Sequence, residues 1–214
     1  MNQFKEAMKV NKNKWSFYKT YEKRKDGRKI YKGSIVPEGE LYTDYSLATV
    51  SCFVLNKKGE ILVEERAADK KIMPGILDIV SGHIDGNETP TQAMIREYVE
   101  EIHKGSQEEQ EKARNEAIHN LKKLDELHLI CNEKGYYVQF YMLLTKLKTI
   151  TKQSEEIKNV KWIPMEDLFE MIRQGKTGIV YDKRLEIVFR QVREGYQELV
   201  KGKWESNGIV RCSR

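Results

Sequence analysis

GHIDGNETPTQAMIREYVEE, residues 82–101, is the most informative stretch of this 214-residue chain. Thr89, Pro90 and Gln92 predict the start of a helix, because Thr caps a first turn, Pro costs little at the first helical position, and Gln three residues after the cap completes a capping box. On a helix that turns about 100° per residue, the apolar and acidic side chains fall on opposite faces. The apolar face contains Met94, Ile95, Tyr98, Val99 and Ile102, and the acidic face contains Glu97, Glu100 and Glu101.

The acidic face of this predicted helix indicates a metal site. Three carboxylates within one turn repel one another, since like charges three or four residues apart destabilise a helix by about 0.2–0.5 kcal/mol per pair. Mg²⁺ offsets such repulsion because it binds carboxylate oxygens together with water and phosphate oxygens. Arg96, four residues before Glu100, is placed to pair with that carboxylate. The alternative interpretation is an acidic face that is only solvated.

The spacing of these residues resembles the Nudix box, in which Gly, five residues, Glu, seven residues, Arg-Glu, two residues and Glu-Glu follow one another. The six fixed positions are matched by Gly82, Glu88, Arg96, Glu97, Glu100 and Glu101. The chain departs from the family's pattern at Tyr98, where an aliphatic residue is usual, and at His103, where glycine is usual. The surrounding order of predicted strands and helices is also similar to this family.

The resemblance implies an α/β fold, namely an α/β/α sandwich around a mixed β-sheet, with Mg²⁺ or Mn²⁺ as the cofactor. It also implies an enzyme in which water attacks phosphorus and a diphosphate linkage is cleaved, while the metal neutralises phosphate charge. We expect the substrate to be a nucleoside diphosphate linked to another group. The implied metal ligands are Glu97, Glu100, Glu101 and the carbonyl group of Gly82, and Arg96 is the catalytic residue implied to orient the glutamates.

The general base of such a reaction has two candidates in this chain. Glu97 is the first. The second is the pair Glu155-Glu156, because Glu156 precedes residues 160–164, which resemble the strand that follows a catalytic loop in this family. The alternative interpretation of the pair is two ordinary loop carboxylates.

Two further residues are candidates for binding the substrate. Arg66, at the end of a predicted strand, resembles a substrate-side arginine, and a guanidinium group holds phosphate through two nitrogens. A surface ion pair is the alternative for this residue. His83 directly follows the first glycine of the box, and a hydrogen-bonded structural imidazole is the alternative interpretation there.

Two other functions compete with hydrolysis. Lys70-Lys71-Ile72-Met73-Pro74-Gly75 and Ser81-Gly82-His83 resemble the isopentenyl diphosphate isomerases, relatives with the same fold, and His83 matches a metal-binding histidine there. Ser81 stands at the position of their catalytic cysteine, however, and no histidine precedes His83 in this chain. The second competitor is a catalytically inactive Nudix-like module that senses a nucleotide. Such a module is expected to lose a box glutamate, and this chain keeps all four.

Hydrophobic patterning predicts strands and helices on both sides of the box. The predicted strands are residues 28–36, 46–55, 61–66, 76–81, 127–131, 136–147 and 160–163, and the other predicted helices are residues 106–123, 165–173 and 183–201. We expect a Nudix hydrolase domain at residues 45–202 and a C-terminal tail at 203–214. We expect residues 1–44 to be an N-terminal extension that pairs as a strand or contacts a second subunit in a homodimer.

The composition excludes several function classes. The 38 Lys and Arg against 33 Asp and Glu give a net charge of +5, well short of the basic stripe of a nucleic-acid binder but compatible with an anionic small molecule. Cys52, Cys131 and Cys212 lack the spacing of a disulfide framework or a zinc site. The chain has neither the roughly 18 consecutive apolar residues of a membrane span nor the apolar run of a signal peptide. We therefore expect a cytoplasmic protein without membrane or nucleic-acid partners.

Overall fold

The computed structural model describes residues 15–23, 29–37, 45–68, 74–84, 88–103, 105–131, 134–146 and 157–201, with side chains from residue 48 onward except at 128–137. Nine strands and four helices lie within these ranges. The strands are β1 (Trp15–Lys23), β2 (Lys29–Pro37), β3 (Tyr45–Leu55), β4 (Glu60–Arg66), β5 (Leu77–Asp78), β6 (Val80–His83), β7 (Leu121–Cys131), β8 (Lys134–Leu144) and β9 (Ile157–Pro164). The helices are α1 (Pro90–Ile102), α2 (Gln107–Asn120), α3 (Met165–Arg173) and α4 (Leu185–Val200).

Strand β3 is the central strand of a mixed sheet. It pairs in parallel with β8 along its length, from Ser46 opposite Gly135 to Leu55 opposite Leu144. It pairs antiparallel with β1 near its start, with β6 in its middle and with β4 at its end. β7 pairs with β8, while β5 and β9 pair with β4. Parallel neighbours need a long crossover connection, and the box helix α1 lies within the connection from β3 to β8.

Helices cover both faces of this sheet because the side chains of β3 alternate between two apolar cores. Val50, Cys52 and Val54 pack in one core with residues of α1 and α2. Phe53 and Leu55 pack in the other core with residues of α3 and α4. In the part of the chain that the structure describes, no helix is long and apolar enough to cross a membrane. The chain is an α/β/α sandwich, which confirms the fold class that the resemblance implied.

The box helix α1 begins as its sequence predicts. The Thr89 hydroxyl accepts a hydrogen bond from the Gln92 backbone N–H, and the Gln92 side chain accepts one from the Thr89 backbone N–H. These bonds form a capping box, and Pro90 occupies the first helical position. The buried residues of the helix are Ala93, Met94, Tyr98, Val99 and Ile102. The apolar face of α1 therefore packs against the sheet.

Several elements differ from the sequence prediction, and two of the differences concern α2 and β1. The helix predicted over residues 106–123 ends at Asn120, and Leu121 already belongs to β7. Its apolar stripe is as thin as expected, because Ala113 and Ala117 are its buried residues. The second difference is β1, which has no counterpart among the predicted strands. β1 pairs with β2 and with β3 of the same chain, so this hairpin extends the sheet.

Candidate active site

Arg96 binds three of the box glutamates at once. Its Nε and Nη2 atoms donate to Glu88 at 3.2 and 2.7 Å, and its Nη1 atom donates to Glu97 at 2.7 Å and to Glu100 at 3.1 Å. Nη2 also donates to the carbonyl oxygen of His83 at 2.9 Å. One guanidinium group thus connects the end of β6 to the acidic face of α1. Several hydrogen bonds to charged groups from one rigid donor fix both distance and orientation.

The charge of Arg96 offsets repulsion among these carboxylates. The side chains of Glu88 and Glu97 are 17% and 13% exposed, so their charges are poorly hydrated, whereas that of Glu100 is 58% exposed. The hydrogen bonds to Glu88, and then the charge of Glu97, raise the pKa of Arg96 above its ordinary value. The guanidinium group therefore remains charged and holds the acidic groups close together.

Gly82 makes room for Glu97. The residue lies in β6, opposite Val50 of β3. A Cβ atom at residue 82 would overlap the carboxylate group of Glu97. The glycine at the first position of the box is therefore required by the close approach of this side chain to the backbone of β6.

Glu101 belongs to a group of carboxylates with Glu64 of β4 and Asp78 of β5, in which Glu64 is buried and the other two are half-buried. One Glu101 oxygen accepts a hydrogen bond from the Ser81 backbone N–H at 3.3 Å, and the Glu101 side chain lies within hydrogen-bonding reach of that of Glu64, so that the two can share a proton. Burial, followed by the charge of Glu64, raises the pKa of Glu101 well above its usual range. Burial, followed by the charge of Asp78, raises the pKa of Glu64 to about 8. This group therefore favours a cation or a proton between its oxygens.

The donor atoms of the site fit Mg²⁺ or Mn²⁺, which prefer oxygen ligands. Glu97, Glu100 and Glu101 lie on one helical turn, and Gly82 admits the Glu97 carboxylate to the end of the sheet. Within the described residues, no three His, Cys, Asp or Glu side chains already converge on one point. Binding of a cation therefore requires the carboxylates to rotate towards one another, and glutamate side chains have the rotatable bonds for this movement.

The two residues predicted for the substrate side lie at the ends of different strands. Arg66 lies at the end of β4, and its charge lowers the pKa values of Glu64 and Asp78. Its guanidinium group is therefore close to the buried carboxylates. His83 lies at the end of β6 with an exposed side chain, and its carbonyl group is held by Arg96.

Sequence reasoning missed Glu64 and Asp78, although each carries a signal. Glu64 stands two residues after the buried Leu62, so strand alternation places both on the same face of the sheet. Asp78 interrupts an apolar run. A carboxylate in such a position is costly to bury, which makes it a candidate for function. Glu155 and Glu156, the other candidates for the general base, lie outside the residues that the structure describes.

Known sequences match part of this chain closely. A segment of 53 residues is 43% identical to the isopentenyl-diphosphate Delta-isomerase of Corynebacterium diphtheriae, covering 24% of this chain and 29% of that protein. A segment of 54 residues is 39% identical to an uncharacterised Nudix hydrolase of Nostoc sp. (strain PCC 7120), covering 25% of this chain and 32% of that protein. Both matches span less than a third of the relative's length.

Solved structures share the fold over a much larger part of the chain. A protein of Deinococcus radiodurans has a TM-score of 0.55 at 18% identity, over 82% of this chain and 98% of that one. A NUDIX hydrolase of Alicyclobacillus acidocaldarius has a TM-score of 0.52 at 14% identity, over 76% and 97%. Identities this low show a common fold alone. The model of the NUDIX domain matches residues 46–183, which is more than half of the chain, and the chain therefore belongs to the Nudix family.

Proposed function

We propose that this protein is a Mg²⁺- or Mn²⁺-dependent hydrolase that cleaves the diphosphate linkage of a nucleoside diphosphate derivative. The observation that carries the proposal is the guanidinium group of Arg96, which holds Glu88, Glu97 and Glu100 together. A solvated acidic face would need neither this shared cation nor the glycine that makes room for Glu97. The arrangement instead supports a site for a polyvalent cation.

In the proposed mechanism, the carboxylates of Glu97, Glu100 and Glu101 and the carbonyl group of Gly82 hold the metal. The metal, when bound, neutralises phosphate charge and acidifies a water molecule. Arg96 limits the positions open to Glu97 and Glu100, so that the rotation that brings these side chains onto the metal is the main rearrangement needed. The fixed part of the site is therefore the protein's own network of hydrogen bonds.

The substrate side of the mechanism is assigned to Arg66 and His83. Arg66 is charged and lies beside buried carboxylates, and its guanidinium group is suited to hold a phosphate through two nitrogens. His83 presents an exposed imidazole ring at the end of β6. The general base is Glu97 or Glu156. The dependence of kcat on pH in Glu97→Gln and Glu156→Gln separates the two, because loss of the base removes its limb from the pH profile.

The test of hydrolysis is turnover by variants of the box helix. We expect Glu100→Gln and Glu101→Gln to lower kcat by at least about 10²-fold, because each removes a ligand of the metal that would stabilise the transition state. Glu111→Gln, an exposed glutamate on α2, is the matched control and should keep wild-type turnover. Wild-type turnover by either box variant would exclude the proposed metal site.

One substrate screen decides among the competing functions. The substrates are nucleotide sugars, ADP-ribose, dinucleoside polyphosphates, coenzyme A, oxidised dNTPs and isopentenyl diphosphate, each with Mg²⁺ or Mn²⁺. Isomerisation is the second candidate because a quarter of the chain is 43% identical to an isomerase. Ser81 replaces the cysteine expected for isomerisation, so we expect phosphate release without isomerised product. Binding of a nucleotide without turnover would instead indicate a sensing module.

A further inference from the structure

Glu64 is an acidic residue in an otherwise apolar part of strand β4. Its burial is nearly complete, at 4% exposure, and Leu62 on the same strand face is 1% exposed. Leu62 packs in the core formed with α1, so Glu64 faces the box helix. The next residue, Glu65, points to the opposite face and forms an ion pair with Lys158 at 2.7 Å.

The two oxygens of Glu64 have different surroundings. The side chain lies within hydrogen-bonding reach of Glu101, so that the two groups can share a proton, whereas the buried Oε1 atom has no hydrogen-bond partner. Nearly all buried polar atoms in proteins have a partner, because a buried unsatisfied group costs about 1–3 kcal/mol and more when it is charged. A carboxylate oxygen that is buried without a donor beside a second carboxylate is in a position that a cation stabilises.

The positive charges near the site are distributed unequally. Arg96 binds Glu88, which precedes α1, and Glu97 and Glu100 of α1. The charge of Arg66 lowers the pKa of Glu64, but burial and the charge of Asp78 raise this pKa by more. Glu64 and Glu101 thus form a pair of acidic side chains in direct contact.

We infer that Glu64 is a further metal ligand of this site, contributed by strand β4, and that it binds the divalent cation together with Glu101. This inference rests on the proposed function, because it assigns a residue outside the Nudix box to the metal of that reaction. Mg²⁺ and Mn²⁺ accept carboxylate oxygens from more than one element of a fold. With Glu64 as a ligand, the metal would bridge strand β4 and the box helix.

The test is a titration of Mn²⁺ without substrate, in which the free ion is measured by electron paramagnetic resonance. We expect Glu64→Gln to weaken Mn²⁺ binding by about 10-fold or more, since loss of a group at a metal site costs that much in other proteins. Glu65→Gln is the matched control, because it removes a charge from the neighbouring residue on the other face. Its Kd should lie within about twofold of the wild-type value. Equal Kd values for Glu64→Gln and wild type would overturn the inference.

Thermal unfolding separates a metal ligand from a structural carboxylate. With EDTA present, Glu64→Gln should unfold at the wild-type temperature or above it, because it replaces a buried ionisable group with an uncharged amide that can donate a hydrogen bond to Glu101. With Mn²⁺ present, the rise in Tm should be smaller for the variant than for the wild type, since the stabilisation by a bound ligand increases with the logarithm of its affinity. A lower Tm in EDTA with unchanged Mn²⁺ affinity would show that Glu64 is structural and contradict the inference. Glu64→Asp, which keeps the charge but shortens the side chain, should also weaken Mn²⁺ binding and serves if Glu64→Gln does not fold.

The same titration of Glu100→Gln distinguishes failure of this inference from failure of the proposed function. Weaker Mn²⁺ binding by Glu100→Gln but not by Glu64→Gln or Glu64→Asp rejects the role of Glu64 alone. Absence of Mn²⁺ binding by the wild type rejects both proposals. If Glu64→Gln binds Mn²⁺ more weakly but the wild type hydrolyses none of the screened substrates, Glu64 is a metal ligand and the proposed hydrolase function is rejected.

Discussion

The rings of Tyr98 and His103 lie edge to face, with centroids 4.9 Å apart. These are the two positions at which the chain departs from the Nudix box. The Tyr98 hydroxyl donates to Glu116 of α2 and to Thr145, both at 3.3 Å. Helix α2, a charged segment that the box resemblance does not cover, therefore supplies a polar partner that a buried tyrosine needs.

Removal of the Tyr98 hydroxyl should lower the free energy of unfolding. We expect Tyr98→Phe to reduce the free energy of unfolding by about 1 kcal/mol, the usual net value of a buried hydrogen bond. Urea denaturation measures the change. Tyr196→Phe is the control, because its hydroxyl bonds to the Lys57 carbonyl group at an exposed site, and it should change stability by a few tenths of a kcal/mol at most. An unchanged free energy of unfolding in Tyr98→Phe would mean that the hydrogen bond to Glu116 of α2 does not stabilise the protein.

Replacement of His103 by phenylalanine should stabilise the protein. The ring is 5% exposed and its buried Nε2 atom has no hydrogen-bond partner. His103→Phe removes this unsatisfied atom and keeps a ring against Tyr98, so we expect a gain of about 1 kcal/mol in the free energy of unfolding at neutral pH. His119→Phe, at an exposed residue of α2, should give no gain. A loss of stability in His103→Phe would contradict this account of the Nε2 atom.

Substitution of Arg96 by lysine should affect both stability and turnover. Lysine keeps the charge but cannot bind Glu88, Glu97 and Glu100 from one planar group. We expect a loss of about 1–3 kcal/mol in the free energy of unfolding, as for hydrogen bonds to charged groups, and a fall in kcat of about 10-fold or more from misplaced carboxylates.

The control for this variant is Arg193→Lys. Arg193 also binds a carboxylate through two nitrogens, at 2.6 and 2.7 Å from Glu166, but Glu166 is 60% exposed. Exposed ion pairs contribute about 0–1 kcal/mol, so this variant should keep wild-type turnover and lose less stability. Equal effects of the two substitutions would show that Arg96 has no special role in the box.

A methyl group at residue 82 should displace Glu97. We expect Gly82→Ala to fold, because the Cβ atom overlaps the end of a long side chain rather than the backbone. Its kcat should fall by about 10-fold or more, since small misplacements of catalytic groups are costly. Gly105→Ala is the matched control, because its Cβ atom overlaps the exposed side chain of Glu109 outside the box. Full activity of Gly82→Ala would refute the close approach of Glu97.

The sequence predicted those features whose determinants are local. Thr89 and Gln92 lie three residues apart, so the start of α1 follows from short-range hydrogen bonding. The helix over residues 165–173 was also predicted with its observed bounds, because its apolar residues recur with helical spacing. The box glutamates and Arg96 are likewise close in sequence, and their mutual contacts follow from helical periodicity.

The features that the sequence did not predict depend on distant pairing. The contact between Glu64 and Glu101 joins residues 37 positions apart, on β4 and on α1, and depends on how the helix packs on the sheet. No local sequence pattern specifies that packing. Strand β1 was missed because Trp15–Lys23 mixes basic and aromatic residues without an apolar run. This segment is a strand because it pairs with β2 and β3, and its composition alone does not indicate that pairing.

The parallel pairing of β3 with β8 has a consequence for synthesis on the ribosome. Ser46 pairs with Gly135, so nearly half of the chain must be translated between the two partners. Proteins dominated by such distant pairings fold slowly, because a long loop must close before the contacts form. Until β8 emerges, one edge of β3 keeps its backbone N–H and C=O groups exposed. A nascent chain that stalls between the two strands is therefore expected to aggregate through this open edge.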